Sequence, residues 1–279
     1  KILHTLERDL PSKKYTPPEK MTKSTGLHKE EITYRLNHLE KAGLVMRSRR
    51  GYTLVTAGMD AISLNALANR NLISALGKPI GVGKESDVYE AVTEAGVEYA
   101  LKFYRIGRTS FRDVKRKRGY LSEESQRHWI LMGIRAAKTE FNALIKLRDH
   151  GVSVPQVIAQ ERHAILMSKI EGVMLIDVSE LDDPEGVLLK ILENIRLAYL
   201  KGRVINSDLS EYNVIFDGKD VWLIDWPQAV DSSHVNSAQL LDRDTLNILK
   251  FFKRRFRLDY NLEAASFYVR GWREAPVTR

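Results

Sequence analysis

The chain has 279 residues, 43% of them hydrophobic, which is enough for a sizeable core and points to two domains rather than one. A net charge of +8 and a pI near 9.5 suit an anionic partner, and the absence of cysteine excludes a disulfide framework and a thiolate metal site. No apolar run approaches the about 18–20 residues of a membrane span and no signal peptide is visible, so a cytoplasmic location is expected and a membrane partner is not.

Residues 1–71 read as a first module. Ile2, Leu3, Leu6 and Leu10 recur at helical spacing until Pro11, Pro17-Pro18 opens a second short helix, and Gly26 breaks it. KEEITYRLNHLEKAG is a third helix with Ile32, Leu36 and Leu39 on one stripe and Gly43 at its C-terminal end. LVMRSRRGYTLVT then gives strand, basic turn and strand, followed by a helical AGMDAISLNALA. This order resembles a winged-helix domain, with Arg47-Ser48-Arg49-Arg50-Gly51 as the wing. Its recognition helix is expected to expose Lys29, Thr33, Tyr34, Arg35, Asn37 and His38, types suited to phosphate and groove contacts. Arg47, Arg49 and Arg50 add charge for the same purpose, although such modules also dock proteins.

From Leu72 the pattern changes. IGVGKESDVYEAV is a strand edge, a small-residue turn and a second strand, and VEYALKFY is a third, with Glu98, Ala100, Lys102 and Tyr104 on one face. A lysine beside a small alanine leaves space for a flat ligand and a charge for a phosphate. Gly81 and Gly83 lie between two strands, which argues against a dinucleotide-binding Rossmann unit and matches the way protein kinases cover ATP. Ser86 stands where the third glycine of that pattern falls, and its hydroxyl, Lys84 and backbone N–H groups are placed to hold phosphates instead. A very basic insert over about 105–128 reads as a flexible loop, followed by a helix from Ile134 with Phe141, Leu144 and Ile145 on its stripe and Glu140 in its middle. Two further strands, Val154–Gln160 and His163–Ser168, lead into the connector SKIEG, whose backbone can face an adenine edge.

The segment VINSDLSEYNVIFDGKDVWLIDWP carries the chemistry. Asp217-Gly218 supports a hairpin, so Asn213 at the start of one strand and Asp225 after the other reach the same end of the ribbon. A carboxylate beside an amide oxygen makes a hard-oxygen site suited to Mg2+, with Mn2+ as a substitute, and Asp208 on the loop leading in can orient a hydroxyl or a water.

D-L-x-x-x-N followed by a strand-borne I-D resembles the kinase catalytic loop and metal-binding motif, with Asn206-Ser207-Asp208 for H-R-D and Asp225-Trp226-Pro227 for D-F-G. The A-P-E motif is absent and only about fifty residues follow Asp225. With GVGKESDVY, I-D-W-P-Q, the basic insert and the winged helix, the chain resembles the RIO family of atypical serine/threonine protein kinases, its second, winged-helix subfamily, in an archaeal form. The resemblance implies an α+β, bilobal kinase-like fold with a truncated large lobe. That lobe would cover 168–279 and the small lobe 72–167, after an α/β winged-helix domain. It implies ATP and Mg2+, kinase or ATPase activity in maturing the small ribosomal subunit, contact with its precursor RNA, and a serine, water or, transiently, Asp225 as phosphate acceptor, with the protein substrate open between the chain itself and others. By carry-over, Asp208 is the catalytic aspartate, Asn213 and Asp225 are metal ligands, and Lys102 holds the α/β phosphates. Gly81, Gly83, Lys84, Ser86, Val88 and Ala100 surround the nucleotide, Glu140 orients Lys102, and Met167, Ser168 and Ile170 meet adenine. Two other readings are a small-molecule phosphotransferase of the aminoglycoside or choline kinase type, and a nucleic-acid-binding scaffold that holds ATP without turnover.

Overall fold

The structure is a computed structural model that describes residues 1–12, 15–108 and 123–274. It divides into two compact units, one of residues 1–138 and 159–166, the other of 139–158 and 167–279.

The first unit begins with α1 (Ile2–Asp9), α2 (Pro18–Thr25) and α3 (Lys29–Lys41), then β1 (Val45–Ser48), β2 (Gly51–Leu54) and α4 (Thr56–Asn69). Pro18 sits at the first turn of α2, where a missing N–H costs nothing, and Gly26 ends that helix in the left-handed region at φ +72°. The wing is tight: Ser48 pairs with Gly51, leaving Arg49 and Arg50 as the turn. A Cβ on Gly51 would lie 2.4 Å from the Thr16 carbonyl oxygen, so only glycine lets β2 start where Thr16 and Tyr52 pair. Leu6, Leu10, Met21, Ile32, Leu36, Leu54 and Met59 close the core of this module, each burial stabilising by about 1.5–3 kcal/mol.

A five-stranded sheet follows in the order β3 (Ala75–Val82), β4 (Ser86–Val92), β5 (Glu98–Tyr104), β7 (Ala164–Ser168) and β6 (Val157–Glu161). β5 is buried without a break from Ala100 to Tyr104, so it is covered on both faces rather than alternating in burial. Of the basic insert, residues 109–122 lie outside the described residues. Its far end is helical: α5 runs from Glu123 to Asp149, well ahead of the expected start at Ile134, because Glu, Gln and Arg are good helix formers and Ile130 adds to the winged-helix core. Trp129 packs on Gly107, where a Cβ would fall 2.2 Å from the indole.

The second unit holds the C-terminal part of α5. There Ala143, Leu144 and Leu147 are buried while Ile145 is 40% exposed, so the apolar stripe runs beside the expected one. Next come β8 (Val173–Met174), α6 (Pro184–Leu200), whose N-cap Asp183 accepts from the Gly186 N–H, and a short ladder of β9 (Val204–Ile205) with β12 (Val230–Asp231). β10 (Val214–Phe216) and β11 (Val221–Leu223) form the expected hairpin, with β8 on the other edge of β10. α7 (Ser237–Phe256) and α8 (Leu262–Val269) close the unit, and the sequence reading had no counterpart for α8. Leu188, Ile191, Val214, Leu223, Ile248 and Phe252 are fully buried between them.

Candidate active site

In the first unit, strand register sets the nucleotide-facing candidates side by side. Gly81 pairs with Val88 and Val88 with Lys102, which puts all three on one rung across β3, β4 and β5, and Ala100 pairs with Glu90 two residues along, on the same face. Lys102 is 5% exposed and its ammonium lies 5.1 Å from the Tyr104 ring centroid. The turn between β3 and β4 is open to solvent at Gly83 and Lys84, and half-buried at Ser86. A bond from the Gly83 N–H to the Ser86 carbonyl, 2.8 Å, closes it.

In the second unit, the catalytic-loop candidates are fixed mainly through the backbone. From Val204 to Leu209 every residue is buried except Asp208. Asn206 donates to the Asp225 carbonyl at 2.9 Å and accepts from the Asp208 N–H at 3.1 Å, tying the loop to the end of the hairpin. Asp244, on α7 and 2% exposed, accepts from the N–H groups of Ser207 and Leu209, on either side of Asp208, at 2.7 and 3.2 Å. Arg243 donates to the Ser207 carbonyl and Asn247 to that of Leu209. Burial outweighs these bonds and the nearby Arg243, and pushes the Asp244 carboxyl up to about 6. Ser207 and Asp225 both adopt left-handed backbone, at φ +63° and +66°.

The hairpin brings Asn213 and Asp225 together at one end, as the sequence implies. Val214 pairs with Leu223, and Ile224 donates to the Asn213 carbonyl at 2.9 Å, so Asn213 and Asp225 finish at one end. The Asn213 side-chain oxygen accepts from Ser210 at 2.9 Å, and Gln228 donates to Asp208 at 3.2 Å. Loss of hydration raises the Asp208 carboxyl above the ordinary carboxylate range; Arg243 opposes the rise and Asp225 adds to it. Two carboxylates that repel each other beside an amide oxygen fit a divalent cation. Among the described residues no group of three His, Cys, Asp or Glu could hold a metal, so a cation here would draw its remaining ligands from water and phosphate, as Mg2+ does.

Glu140 is 1% exposed and accepts from the Trp226 N–H at 3.2 Å, the residue after Asp225. Met167 is buried, and Ser168 and Ile170 line a shallow pocket of about 630 Å3 with Trp222 and Asp217. Ser168 sits at the end of the β6–β7 ladder. Its N–H donates to the Gln156 carbonyl at 2.8 Å to close the β6–β7 ladder, which leaves its carbonyl as the group to offer a ligand.

Residues 87–265 match the RIO domain family model, and residues 1–70 match the Rio2 N-terminal family model. The chain belongs to the RIO family of serine/threonine protein kinases, in its Rio2 branch. The Rio2 kinase of Methanocaldococcus jannaschii is 37% identical over 251 residues, 88% of this chain and 92% of that protein. The Caenorhabditis elegans RIO2 kinase is 34% identical over 94% of this chain, which spans 50% of the longer nematode protein. The Chaetomium thermophilum Rio2 kinase, solved as an ADP/Mg2+–phosphoaspartate complex, superposes with a TM-score of 0.83 at 30% identity, over 98% of this chain and 90% of that one. The fold is thus kinase-like with a Rio2 N-terminal domain in front, and membership of the RIO family sets aside the aminoglycoside and choline kinase reading.

On the Rio2-type N-terminal domain, Lys29, Thr33, Tyr34, Arg35, Asn37 and His38 are exposed on α3, and Arg47, Arg49 and Arg50 are exposed at the wing. Arg35 pairs with Glu31 at 2.5 Å, and Tyr34 stacks on His38 with centroids 6.1 Å apart. Tyr34, Arg35 and His38 also line a groove of about 770 Å3 with residues of α1 and α4, which the sequence reading missed. Asp244 and Arg243 were missed as well, although a carboxylate between Leu241 and Ile248 on an apolar helix stripe is a readable signal that something polar is being held.

Proposed function

We propose that this chain transfers the γ-phosphoryl group of ATP in a Mg2+-dependent reaction. We further infer that it acts in the maturation of the small ribosomal subunit, in the cytoplasm, with its winged helix on precursor RNA. The observation that carries the chemistry is Asp208, the one exposed side chain of a buried loop whose backbone is pinned on both sides by Asp244. A carboxylate held this way is preorganised to orient an acceptor oxygen. Lys102 neutralises charge on the α/β phosphates, and Gly83, Lys84 and Ser86 cover them. Asn213 and Asp225 hold the cation, which supplies charge stabilisation for the phosphates when bound. Mn2+ is expected to substitute.

The acceptor is a serine, water or an aspartate. The phosphoaspartate in the Chaetomium relative favours the last, and we assign it to Asp225. A carboxylate oxygen of Asp225 attacks the γ-phosphorus as the bond to the β-phosphate oxygen breaks and ADP leaves. Water then hydrolyses the acyl phosphate to inorganic phosphate. A serine of this chain or of a ribosomal protein is the competing acceptor.

The test is ATP turnover with and without purified precursor small subunits, following the γ-phosphate. Hydroxylamine-labile label on the protein marks aspartate, alkali-labile and acid-stable label marks serine, and free phosphate alone marks water. Full turnover by Asp208→Ala would remove the proposed mechanism.

A further inference from the structure

Within the first unit, four charged side chains form a chain of contacts that the reaction above does not use. It begins on α4 of the winged-helix module. Asp60 Oδ1 accepts from Arg105 Nη1 at 2.7 Å and lies 2.7 Å from His163 Nε2. Arg105 Nε donates to Asp87 Oδ2 at 2.9 Å, and Arg108 grips the same carboxylate with both terminal nitrogens, at 2.7 and 2.5 Å. Arg108 Nη1 also donates to the Gly83 carbonyl at 2.9 Å, and the Arg105 N–H to the Glu85 carbonyl at 2.5 Å. Charges alternate along the line, and the line ends on the backbone of the glycine turn.

We propose that Asp60 is a positioning residue for the phosphate-covering turn, acting through Arg105, Asp87 and Arg108. The inference rests on reading the turn as a phosphate site. Among the described residues the turn itself is exposed at Gly83, Lys84 and Glu85, and beyond its own Gly83–Ser86 bond the relay contacts are the ones that tie it down. Asp87 is 5% exposed and pairs with Val82 across the mouth of the turn, so its carboxylate holds Arg108 where the two strands diverge. Arg105 is too buried to lose a partner cheaply, and its guanidinium also lies over the Phe103 ring at 5.1 Å. Paired in this way, Asp60 and Asp87 are both held below the usual carboxylate range despite burial that raises them, so the relay stays charged at neutral pH. Docking of α4 on the lobe does not by itself require this. Ser63 donates to the Glu161 carbonyl at 3.1 Å and Arg70 to the Glu161 carboxylate at 2.8 Å, and neither touches the turn.

The experiment compares full-length variants by KM and kcat for ATP and by calorimetric Kd for Mg-ADP. Asp60→Asn and Arg108→Gln are each expected to weaken Mg-ADP and raise KM about fivefold or more with kcat within about twofold, and their double variant to be no worse than the stronger single. Ser63→Ala, which loosens docking alone, should leave KM and Kd unchanged. Unaltered Mg-ADP affinity in both relay variants, or an equal loss in Ser63→Ala, overturns the proposal. If Asp60→Asn fails to fold, Arg108→Gln decides, because that side chain lies at the exposed end of the relay. Gly83→Val separates the two readings. Its Cβ would stand 3.3 Å from the Ser86 carbonyl, so it distorts the turn directly. Weak Mg-ADP binding in Gly83→Val but not in Asp60→Asn sinks the relay alone, whereas no effect in either sinks the phosphate-turn reading too.

Discussion

The glycine turn of the first unit and the catalytic loop of the second handle charged groups in opposite ways. The turn is exposed, and arginine–carboxylate contacts at its base hold it. The loop is buried and held by neutral backbone N–H and C=O groups that meet Asp244, Asn206 and Asn247, and it exposes one carboxylate. Buried hydrogen bonds of the second kind are costly to break and have few alternative geometries. Where the first set meets the turn, through the partly exposed Arg108, the contact is weaker and is screened by salt. On the function proposed above, a nucleotide passes the turn while the reacting oxygen is met at one place, so the difference would give adjustability to binding and rigidity to the chemistry.

Four changes would break or sharpen that contrast. Asp208→Ala should lower kcat by about 10²–10⁴ with little change in Mg-ADP affinity, seen by combining turnover with calorimetry. Comparable loss of nucleotide binding would mean that the loop is not specialised for chemistry. Asp244→Asn comes next. It keeps one acceptor oxygen and puts an NH2 against the other N–H, so kcat should fall about 10–100-fold while KM moves little. The same variant carries a pH signature. Asp244 titrates at about 6 when folded against 3.8 in its ordinary state, so between these values the folded form holds the extra proton. Its contribution to stability is therefore full below about 4 and is lost as pH rises through 6, on the order of 3 kcal/mol. Subtracting the urea-unfolding free energies of Asp244→Asn from those of the parent between pH 4 and 7 should reveal that slope, and a flat difference would place Asp244 in water. Ser86→Ala in the turn should raise KM for ATP about tenfold or less and leave kcat nearly untouched, which steady-state kinetics with saturating Mg2+ will check. Reversal of Arg47, Arg49 and Arg50 to Glu should do least to ATP turnover. It should weaken precursor RNA binding and flatten its dependence on log salt by up to about three phosphate contacts, and unchanged RNA affinity would remove the wing from the interface.

How much of this was legible in the sequence follows from how local each signal is. The hairpin that carries Asn213 and Asp225 was readable because two apolar runs and a turn fix register over a dozen residues. The rung of Gly81, Val88 and Lys102 was partly readable, since its glycine and lysine announce themselves while the pairing needs three strands to be in place. Asp244 was not found because its partners lie 35–37 residues away and only the fold brings them together. The relay from Asp60 was hidden for the same reason: its first link crosses 45 residues. The early start of α5 shows a different limit. A polar, charged stretch of good helix formers looks like a loop until something packs on it.

The left-handed backbone at Ser207 and Asp225 has an evolutionary consequence. A non-glycine residue there costs about 1–2 kcal/mol that glycine would not, and Asp225 adds repulsion with Asp208. The two positions therefore select for residues that tolerate left-handed backbone, and aspartate is one of the few that does so while presenting a carboxylate.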